Sequence, residues 1–369
     1  MKNFDFKKEN LYYVGGVVRD ELLGRENFDV DIVCVGNAID ECSNLGEVVR
    51  TNPDFGTVKV NISGVEVDFA STRAETYPKA GHLPVVEKIG CTLQEDVLRR
   101  DFTINAMAKN LLSGEIIDYT GGLRDLENGL LRVLHEKSFI DDPTRILRAL
   151  KFSVRFNFEL AEETHRLQEE YLANINYDMC YKRIKKELIE TFNLNSQKAF
   201  EKFFDEKIYK LVTKYEVQKP KFEVEKFVNE LKASGMRFEN LWLAYVGILG
   251  DLSHLELTKT EQKILFDFET LKQNSPKTDF ELYKMLSTML PETLVLYAIY
   301  GFKNAVKHYI YDLRDIKISI NGKDLNALGL APSPYYAEIL DKVLIQKLKT
   351  PTMTRDEELQ FAKKLILDL

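Results

Sequence analysis

The chain has 369 residues, of which 44% are hydrophobic and 30% charged, and it carries a net charge of −7 with an isoelectric point of about 5.5. This length predicts a folded protein of two or three domains. The acidic balance argues against a general nucleic-acid binder, because such proteins present a basic surface, so any RNA contact is expected from local basic patches.

The composition gives no indication of a disulfide framework, a transition-metal cluster or a membrane segment. The four cysteines and five histidines are scattered without ligand spacing. The N-terminal residues are polar, and no window approaches the roughly 18 apolar residues of a membrane-spanning helix. We therefore expect a cytoplasmic protein without a signal peptide or a membrane contact.

The first third of the chain predicts strands and short helices separated by glycine and proline. The predicted strands are 12–14, 29–35, 57–62 and 65–70, and the predicted helices are 19–23 and 38–46. A hairpin turn at 61–64 connects the last two strands. The segment 77–95 contains prolines and glycines and is expected to be flexible.

Beyond about residue 141 the apolar periodicity becomes that of amphipathic helices. The predicted helices are 144–156, 161–173, 180–191, 196–205, 238–249, 259–273 and 279–289. Residues 214–223 are expected to form a connector, and 321–322 a turn. The sequence therefore predicts an α+β first region, built on a mixed β-sheet, followed by an all-helical remainder.

The first chemical motif lies at 12–33, YYVGGVVRDELLGRENFDVDIV. Gly15 and Gly16 join a strand to a helix, a junction whose backbone N–H groups can bind phosphate. Asp29 and Asp31 alternate along a strand and so face the same side. Each signal alone is more often a plain turn or a solvated strand face, but two carboxylates beside a phosphate site suit Mg²⁺ and a nucleoside triphosphate.

A third carboxylate is predicted near this pair. Asp68 lies in the strand 65–70 and could stand beside the strand of the two aspartates. There it would serve as a metal ligand or as the base for an attacking hydroxyl. The alternative is a solvent-facing side chain on an edge strand.

The second motif is the run LRRDFTINAMA at 98–108. Arg99 and Arg100 suit polyphosphate oxygens, which guanidinium groups bind in bidentate fashion. Asp101 can accept from a ribose hydroxyl or orient an arginine, and Asn105 can donate to phosphate or sugar. A helix cap would explain Asp101 but not the whole run.

A further pair lies at the start of the predicted helix 144–156. Asp142 and Arg145 are three residues apart and share a face. The carboxylate can accept from the exocyclic amine of cytosine or adenine while the arginine donates to the ring nitrogen, and uracil and guanine present the opposite pattern. In isolation, the pair would be a capping aspartate with an i,i+3 salt bridge.

In this order, and with the segments 117–126 and 181–188, the motifs resemble the class II tRNA nucleotidyltransferases. This family comprises the CCA-adding enzymes and their bacterial poly(A) polymerase relatives, within the polymerase beta superfamily. The resemblance is dense over residues 11–190 and thins beyond. Asp141 stands where the family usually has glutamate, which leaves only its own supporting role open.

The resemblance implies an elongated molecule with a nucleotidyltransferase head of mixed β-sheet and helices, followed by an all-α neck, body and tail. The implied domains are a catalytic head at 1–134, a neck with the base-selecting motif at 135–195, a body at 196–275 and a tRNA-binding tail at 276–369. The segments 117–126 and 181–188 are expected to be mainly structural.

The implied activity is addition of CMP and AMP to the tRNA 3′ end from CTP and ATP, without a nucleic-acid template and with release of pyrophosphate. Mg²⁺ is the implied cofactor, with Asp29 and Asp31 as metal ligands and Asp68 as a third catalytic residue. The acceptor and T arms of tRNA would bind the helical part. The nucleotide-binding residues implied are Gly15, Gly16, Arg19, Arg99, Arg100, Asp101, Asn105, Asp142, Arg145 and Arg148.

Several alternatives share this pattern. A CC-adding or A-adding specialist, or a poly(A) polymerase, would use the same chemistry, although the acidic isoelectric point argues against the last. A non-catalytic tRNA-binding protein could keep the fold, but the full set of carboxylates and arginines argues against it. The sequence leaves the oligomeric state open and is compatible with a homodimer.

Overall fold

The computed structural model describes residues 8–26 and 31–368, which fall into two compact units, Met1–Val217 and Gln218–Leu369. Asp29, one of the two predicted metal ligands, lies outside the described residues.

The first unit begins with a mixed sheet whose seven strands run in the order β3-β4-β5-β2-β1-β8-β9. Every neighbouring pair is antiparallel except β2 and β5, which are parallel. Strands β6 and β7 form a separate antiparallel ribbon. The strands are β1 (Leu11–Val14), β2 (Asp31–Cys34), β3 (Glu47–Asn52), β4 (Thr57–Ile62), β5 (Val65–Ser71), β6 (Arg73–Thr76), β7 (Val85–Ile89), β8 (Met107–Asn110) and β9 (Ile116–Asp118).

Short helices cover this sheet because apolar side chains alternate along its central strands. In β5, Val67 and Phe69 are fully buried while Glu66 and Asp68 face outward. A core cluster joins the sheet to α3 through Val14, Val33 and Val97. The helices of this region are α1 (Gly16–Leu22), α2 (Ala38–Cys42), α3 (Leu93–Leu98) and α4 (Gly122–Glu127).

The rest of the first unit is mainly helical, with a two-stranded parallel ribbon of β10 (Leu130–Leu131) and β11 (Glu159–Leu160). Helix α6 buries Ile146, Leu147 and Leu150 and packs against α8 and α9. Its amphipathic spacing is the reason why it folds onto its neighbours. The helices are α5 (Ser138–Asp141), α6 (Thr144–Phe156), α7 (Glu162–Ala173), α8 (Tyr181–Phe192) and α9 (Gln197–Asp205).

The second unit is helical throughout its described residues. Its largest fully buried side chains include Trp242, Tyr245 and Tyr297, and a separate apolar cluster contains Ile339 and Val343. None of the helices described in the chain is long and apolar enough to span a membrane. The helices are α10 (Val224–Ala233), α11 (Leu241–Val246), α12 (Lys259–Lys272), α13 (Asp279–Leu286), α14 (Pro291–Tyr297), α15 (Lys303–His308), α16 (Gly322–Ala327), α17 (Tyr335–Lys349) and α18 (Arg355–Leu367).

The predicted succession of a mixed-sheet region and a helical remainder is confirmed. The expectation of a flexible segment at 77–95 is wrong in part, since β7 pairs with β6 and a capping box at Thr92 starts α3. The turn predicted at 321–322 is instead a helix start, because the Asn321 side chain accepts from the Lys323 N–H and caps α16. The division into head, neck, body and tail stays a prediction.

The turn between β9 and α4 depends on one carboxylate. Asp118 accepts from the backbone N–H groups of Thr120, Gly122 and Leu123 at 2.9 to 3.0 Å. Burial raises the pKa of Asp118, but these donors outweigh it and the pKa lies below its ordinary value. The turn is therefore held by an ionised acceptor.

We expect Asp118→Ala to destabilise the first unit by about 2 kcal/mol, because it leaves three backbone donors without their acceptor. Asp118→Asn keeps one acceptor oxygen and should lose less. Thermal unfolding of both variants measures the effect, and equal melting temperatures for Asp118→Ala and the unmodified chain would contradict it.

Candidate active site

A cleft of about 1040 Å³ in the first unit gathers most of the predicted site residues. Asp68 lines an adjoining pocket of about 250 Å³, and Asp31, Arg73, Arg99 and Arg100 line both cavities. The predicted residues that line the cleft are Gly15, Gly16, Arg19, Asp31, Arg99, Arg100, Asp101, Asn105, Asp142, Arg145 and Arg148.

The charge of the cleft is opposite to that of the chain. Ten arginine and lysine side chains line it against six aspartates and glutamates, whereas the net charge of the chain is −7. Concentrated cations in a concave site attract a polyanionic ligand. The cleft is therefore a local basic patch on an acidic chain.

The glycine junction at the start of α1 allows an arginine to approach the backbone. Gly15 has φ +68°, and a Cβ atom built there would lie 2.9 Å from Nη1 of Arg100. The Gly15 N–H donates to the Met107 carbonyl at 3.3 Å, so this N–H is used within the fold. The absence of a Cβ at Gly15 thus allows Arg100 to approach the backbone at the cleft wall.

The two arginines of the second motif are held by one buried carboxylate that the sequence reading missed. Asp96 is fully buried and pairs with Arg99 at 2.8 Å and Arg100 at 3.0 Å. Burial raises the pKa of Asp96, but Arg100 and Arg99 outweigh it and the pKa lies below its ordinary value. The i,i+3 and i,i+4 spacing of the three residues is the signal that could have found Asp96.

Arg100 keeps an unsatisfied donor at this corner. Its Nε is buried and has no hydrogen-bond partner. Arg99, in contrast, also pairs with Glu75 at 3.1 Å. Arg100 therefore has an unmet buried donor, whereas its Nη1 lies beside the glycine junction.

A chain of hydrogen bonds connects α1 to α6 through the second motif. Arg19 donates to Asn105 at 2.6 Å, and Asn105 donates to Asp101 at 2.9 Å. Arg148 on α6 binds the other Asp101 oxygen at 2.6 Å. Burial raises the pKa of Asp101, but Arg148 and Asn105 more than offset this and lower it to about 2.

The same chain continues onto α8. Glu187 accepts from Arg148 at 3.4 Å and from Lys151 at 2.7 Å. Arg183, on the same helix, pairs with Asp142 at 2.5 Å. Arg183 and Glu187 have i,i+4 spacing on α8, but Arg183 pairs with Asp142 between α5 and α6, and Glu187 pairs with side chains of α6.

The predicted base-reading pair is present, but its two members are held separately. Asp142 accepts from Thr144 N and Oγ1 through one oxygen and from Arg183 through the other. Arg145 donates to Ser138 Oγ at 2.8 Å and to the Arg99 carbonyl at 3.1 Å. The i,i+3 salt bridge that would make the pair a mere cap is not formed between these described side chains.

His135 and Tyr77 complete the surroundings of Arg145. The His135 ring lies 3.5 Å from Arg145 Nη1, and burial followed by the Arg145 charge lowers the pKa of His135. The Tyr77 ring lies 5.9 Å from the guanidinium carbon. Arg145 is thus held from several sides, as a base-reading group needs to be.

Asp31 and Asp68 are register partners on the parallel strands β2 and β5, which puts their backbones about 5 Å apart. Asp68 is half exposed and pairs with Lys59 at 3.2 Å. Neighbouring carboxylate oxygens are the ligands that hard divalent cations prefer, so the donor set fits such an ion. Within residues 8–26 and 31–368, no group of three metal-ligating side chains is assembled, and Asp29 lies outside that range.

Comparison with known proteins agrees with this fold. Residues 11–132 match the poly A polymerase head domain. The A-adding tRNA nucleotidyltransferase of Halalkalibacterium halodurans is 31% identical over 96% of this chain and 88% of its own length. A solved structure, the Thermotoga maritima CCA-adding enzyme complexed with tRNA-CCA, has a TM-score of 0.78 at 27% identity, covering 96% of this chain and 91% of that one.

The fold and the cleft define a head of the poly A polymerase type joined to helical units. The chain belongs to the tRNA nucleotidyltransferase family. It spans 41% of the A-adding tRNA nucleotidyltransferase of Aquifex aeolicus, at 36% identity over 83% of this chain. It spans 45% of the protein of that name from Geobacter sulfurreducens, at 32% identity over 96% of this chain.

The ion pair of Asp101 and Arg148 predicts a pH-dependent loss of stability. Because the folded-state pKa is about 2 rather than 3.8, the ionised carboxylate stabilises the fold above about pH 4 and this contribution disappears as the pH falls toward 2. We expect Asp101→Asn to cost about 2 kcal/mol at neutral pH.

The measurement is denaturant unfolding of both forms from pH 7 to pH 2, and their difference should shrink below pH 4. Asp40→Asn, at an ordinary surface position on α2, serves as the control. A difference that stays constant over the whole range would contradict this assignment.

Proposed function

We propose that this chain is a tRNA nucleotidyltransferase that extends the tRNA 3′ end from nucleoside triphosphates without a nucleic-acid template. The observation that carries the proposal is a cleft whose walls include the Asp142–Arg145 pair and a glycine–arginine corner formed by Gly15, Arg99 and Arg100. The Asp31–Asp68 pair lies at the pocket that adjoins this cleft. These features suit the three parts of the reaction, which are the triphosphate, the transferred phosphoryl group and the base.

The triphosphate side is supported by oriented cations. Arg99 and Arg100 are fixed by Asp96, and Arg19 by Asp20 and Asn105, so their guanidinium groups are set before a ligand arrives. Preorganised cations stabilise the charge that accumulates on a departing pyrophosphate. Because Gly15 has no side chain, Arg100 can lie close to the backbone at this corner.

In the transfer step, the 3′-hydroxyl oxygen of the RNA attacks the α-phosphorus and the bond to pyrophosphate breaks. Asp68 is the candidate to accept the hydroxyl proton. The predicted metal is Mg²⁺, held by Asp31 with Asp29 as the further predicted ligand. When bound, it would neutralise phosphate charge and activate the attacking hydroxyl.

The base side uses an acceptor and a donor of fixed orientation. Asp142 suits the amine of cytosine or adenine, and Arg145 suits the neighbouring ring nitrogen. Both nucleotides are accepted by the same pattern, while uracil and guanine are rejected. CTP and ATP are therefore the proposed substrates, and the tRNA is the proposed acceptor.

Two versions of this function remain candidates. The sequence predicts complete CCA addition, and the CCA-adding enzyme complexed with tRNA-CCA supports it. The relatives from Aquifex, Geobacter and Halalkalibacterium are A-adding enzymes, which favours a specialist. Addition of AMP to a tRNA ending in CC is common to both versions and is the core of the proposal.

The test uses three tRNA transcripts that end before CCA, after C and after CC, each with CTP, ATP or both in the presence of Mg²⁺. We expect the transcript ending in CC to receive one AMP and then stop. Extension of all three to CCA would identify the complete enzyme, and extension of the last one only would identify the specialist.

Asp31→Ala is the control for chemistry in the same assay, because it should abolish incorporation while tRNA binding persists. A continuing ladder of adenylates in the unmodified chain would contradict the proposal in favour of a poly(A) polymerase. Binding without any incorporation would identify a non-catalytic tRNA-binding protein.

A separate prediction concerns Arg183 as a positioning residue for Asp142. We expect Arg183→Gln to weaken discrimination against UTP and GTP about tenfold, because a charge-assisted hydrogen bond of about 1.5–3 kcal/mol no longer orients the carboxylate. The ratio of kcat/KM for ATP to that for GTP is the measurement.

Lys182→Gln is the matched control, since Lys182 neighbours Arg183 on α8 but does not line the cleft. A merely structural role for Arg183 would lower kcat/KM for ATP, CTP, GTP and UTP together and leave the ratios between them unchanged.

A further inference from the structure

An exposed aromatic ring lies on the wall of the cleft and takes no part in the reaction proposed above. Phe55 is 42% exposed, whereas the other two aromatic side chains that line the cleft, Tyr77 and Phe152, are less exposed. Tyr77 is engaged with Arg145, and Phe152 is covered by cationic side chains. Phe55 is thus the aromatic side chain among the described cleft residues with the most open surface.

The backbone holds Phe55 in a fixed position relative to the strand of Asp68. Phe55 ends the 3₁₀ turn Pro53–Phe55, in which proline restricts the backbone. Gly56 follows with φ +59°, and its carbonyl accepts from both N and Oγ of Ser71 at 2.8 and 2.7 Å. Ser71 ends β5, the strand that carries Asp68.

A cation covers part of the ring. The Arg73 guanidinium carbon lies 5.7 Å from the Phe55 ring centroid, and its Nη1 donates to the Phe55 carbonyl at 3.4 Å. Glu75 accepts from Arg73 Nε at 2.6 Å and fixes the guanidinium. Arg73 also lines the pocket of Asp31 and Asp68, so one cation links the ring to the carboxylate pair.

The chemistry of transfer assigns this wall to the acceptor. In an in-line displacement the attacking oxygen and the departing pyrophosphate lie on opposite sides of the α-phosphorus. The glycine–arginine corner accounts for the pyrophosphate side. The acceptor must therefore reach the carboxylates from another direction. Arg73 lines both cavities and so connects the pocket of Asp31 and Asp68 to the part of the cleft that Phe55 and the exposed Leu83 line.

We propose that Phe55 is a stacking platform for the base at the 3′ end of the RNA acceptor, with Arg73 supporting the ring and facing the acceptor phosphate. This proposal rests on the proposed function, because it assigns a binding place to the RNA acceptor of that reaction. Stacking on an aromatic ring tolerates every base, so one platform serves each successive terminal nucleotide of a growing single-stranded end. The ligand class is single-stranded RNA at its 3′-terminal nucleoside.

The first test compares Phe55→Leu, which removes the aromatic face but keeps apolar volume, with Phe55→Trp, which keeps a ring. On a tRNA ending in CC, we expect Phe55→Leu to raise KM for tRNA about tenfold or more, while KM for ATP stays unchanged. Phe55→Trp should keep a KM close to that of the unmodified chain. Tyr215→Leu is the matched control, because Tyr215 is 78% exposed and lines neither cavity.

A second acceptor, with an abasic ribose at its 3′ end, isolates stacking from other effects. In the unmodified chain, loss of the terminal base should raise KM for the acceptor about tenfold. In Phe55→Leu it should raise KM no further, because the platform is already gone. Independent, additive effects of the two changes would overturn the proposal.

Equilibrium binding separates this proposal from the proposed function. A CC-ending RNA that carries 2-aminopurine at its last position loses fluorescence when that base stacks on a ring, and the measurement needs no chemistry. We expect quenching with the unmodified chain and with Phe55→Trp, and less with Phe55→Leu. Quenching without incorporation would contradict the proposed function alone, and incorporation with equal quenching in all three chains would overturn the platform alone.

Discussion

The site depends on one constraint, which is that many guanidinium groups must lie close together before any anion is bound. Ten cationic side chains line one cleft of the first unit, and their mutual repulsion would disperse them if nothing compensated it. Buried carboxylates supply the compensation. Asp96 holds Arg99 and Arg100, and Asp101 holds Arg148. Each of these carboxylates has a pKa below its ordinary value despite burial, because its arginine partners favour the charged form. The free-energy cost of ordering side chains on ligand binding is then low, because the guanidinium groups are already oriented.

The same carboxylates join the two parts of the first unit that line the cleft, which are the sheet region and the helices that follow it. Asp101 belongs to the segment that follows α3, whereas Arg148 belongs to α6, so their ion pair joins the sheet region to the first long helix. Glu187 extends the connection to α8, and Arg183 brings α8 to Asp142. Groups suited to phosphate and groups suited to the base therefore belong to one connected network. A displacement of α6 or α8 would change the distance between the glycine–arginine corner and the Asp142–Arg145 pair. The geometry in which a substrate can bind is therefore coupled to the packing of these helices.

The sequence predicted some parts of this arrangement well, for physical reasons that can be named. The sequence predicts helix α6 at its observed bounds because its apolar stripe is regular. It predicts β4 at its observed bounds because apolar and polar residues alternate along a segment that a turn flanks on each side. Strand β3 was missed, since its residues are nearly all exposed and show no alternation. Asp96 was missed as well, because its partners were interpreted as phosphate ligands and not as members of an i,i+3 and i,i+4 cluster. Phe55 could not be found from the sequence, since an exposed ring gains meaning only from the cavity that it lines.

The base-reading pair sets a limit on what these residues can decide. Asp142 and Arg145 would recognise an amine beside an unprotonated ring nitrogen, and cytosine and adenine share that edge. On the proposed function, the pair can exclude uracil and guanine but cannot separate an A-adding enzyme from a CCA-adding one. The distinction must come from parts of the cleft that sense size or the position of the acceptor end. The segment that carries Tyr77 meets this requirement, because it contacts Arg145 on one side and is tied to Asp178 through Lys79 and His82 on the other. On the proposed function, a shift of that segment would change the space beside the base while leaving the hydrogen-bond pattern intact, so nucleotide choice and nucleotide order would be set by different residues.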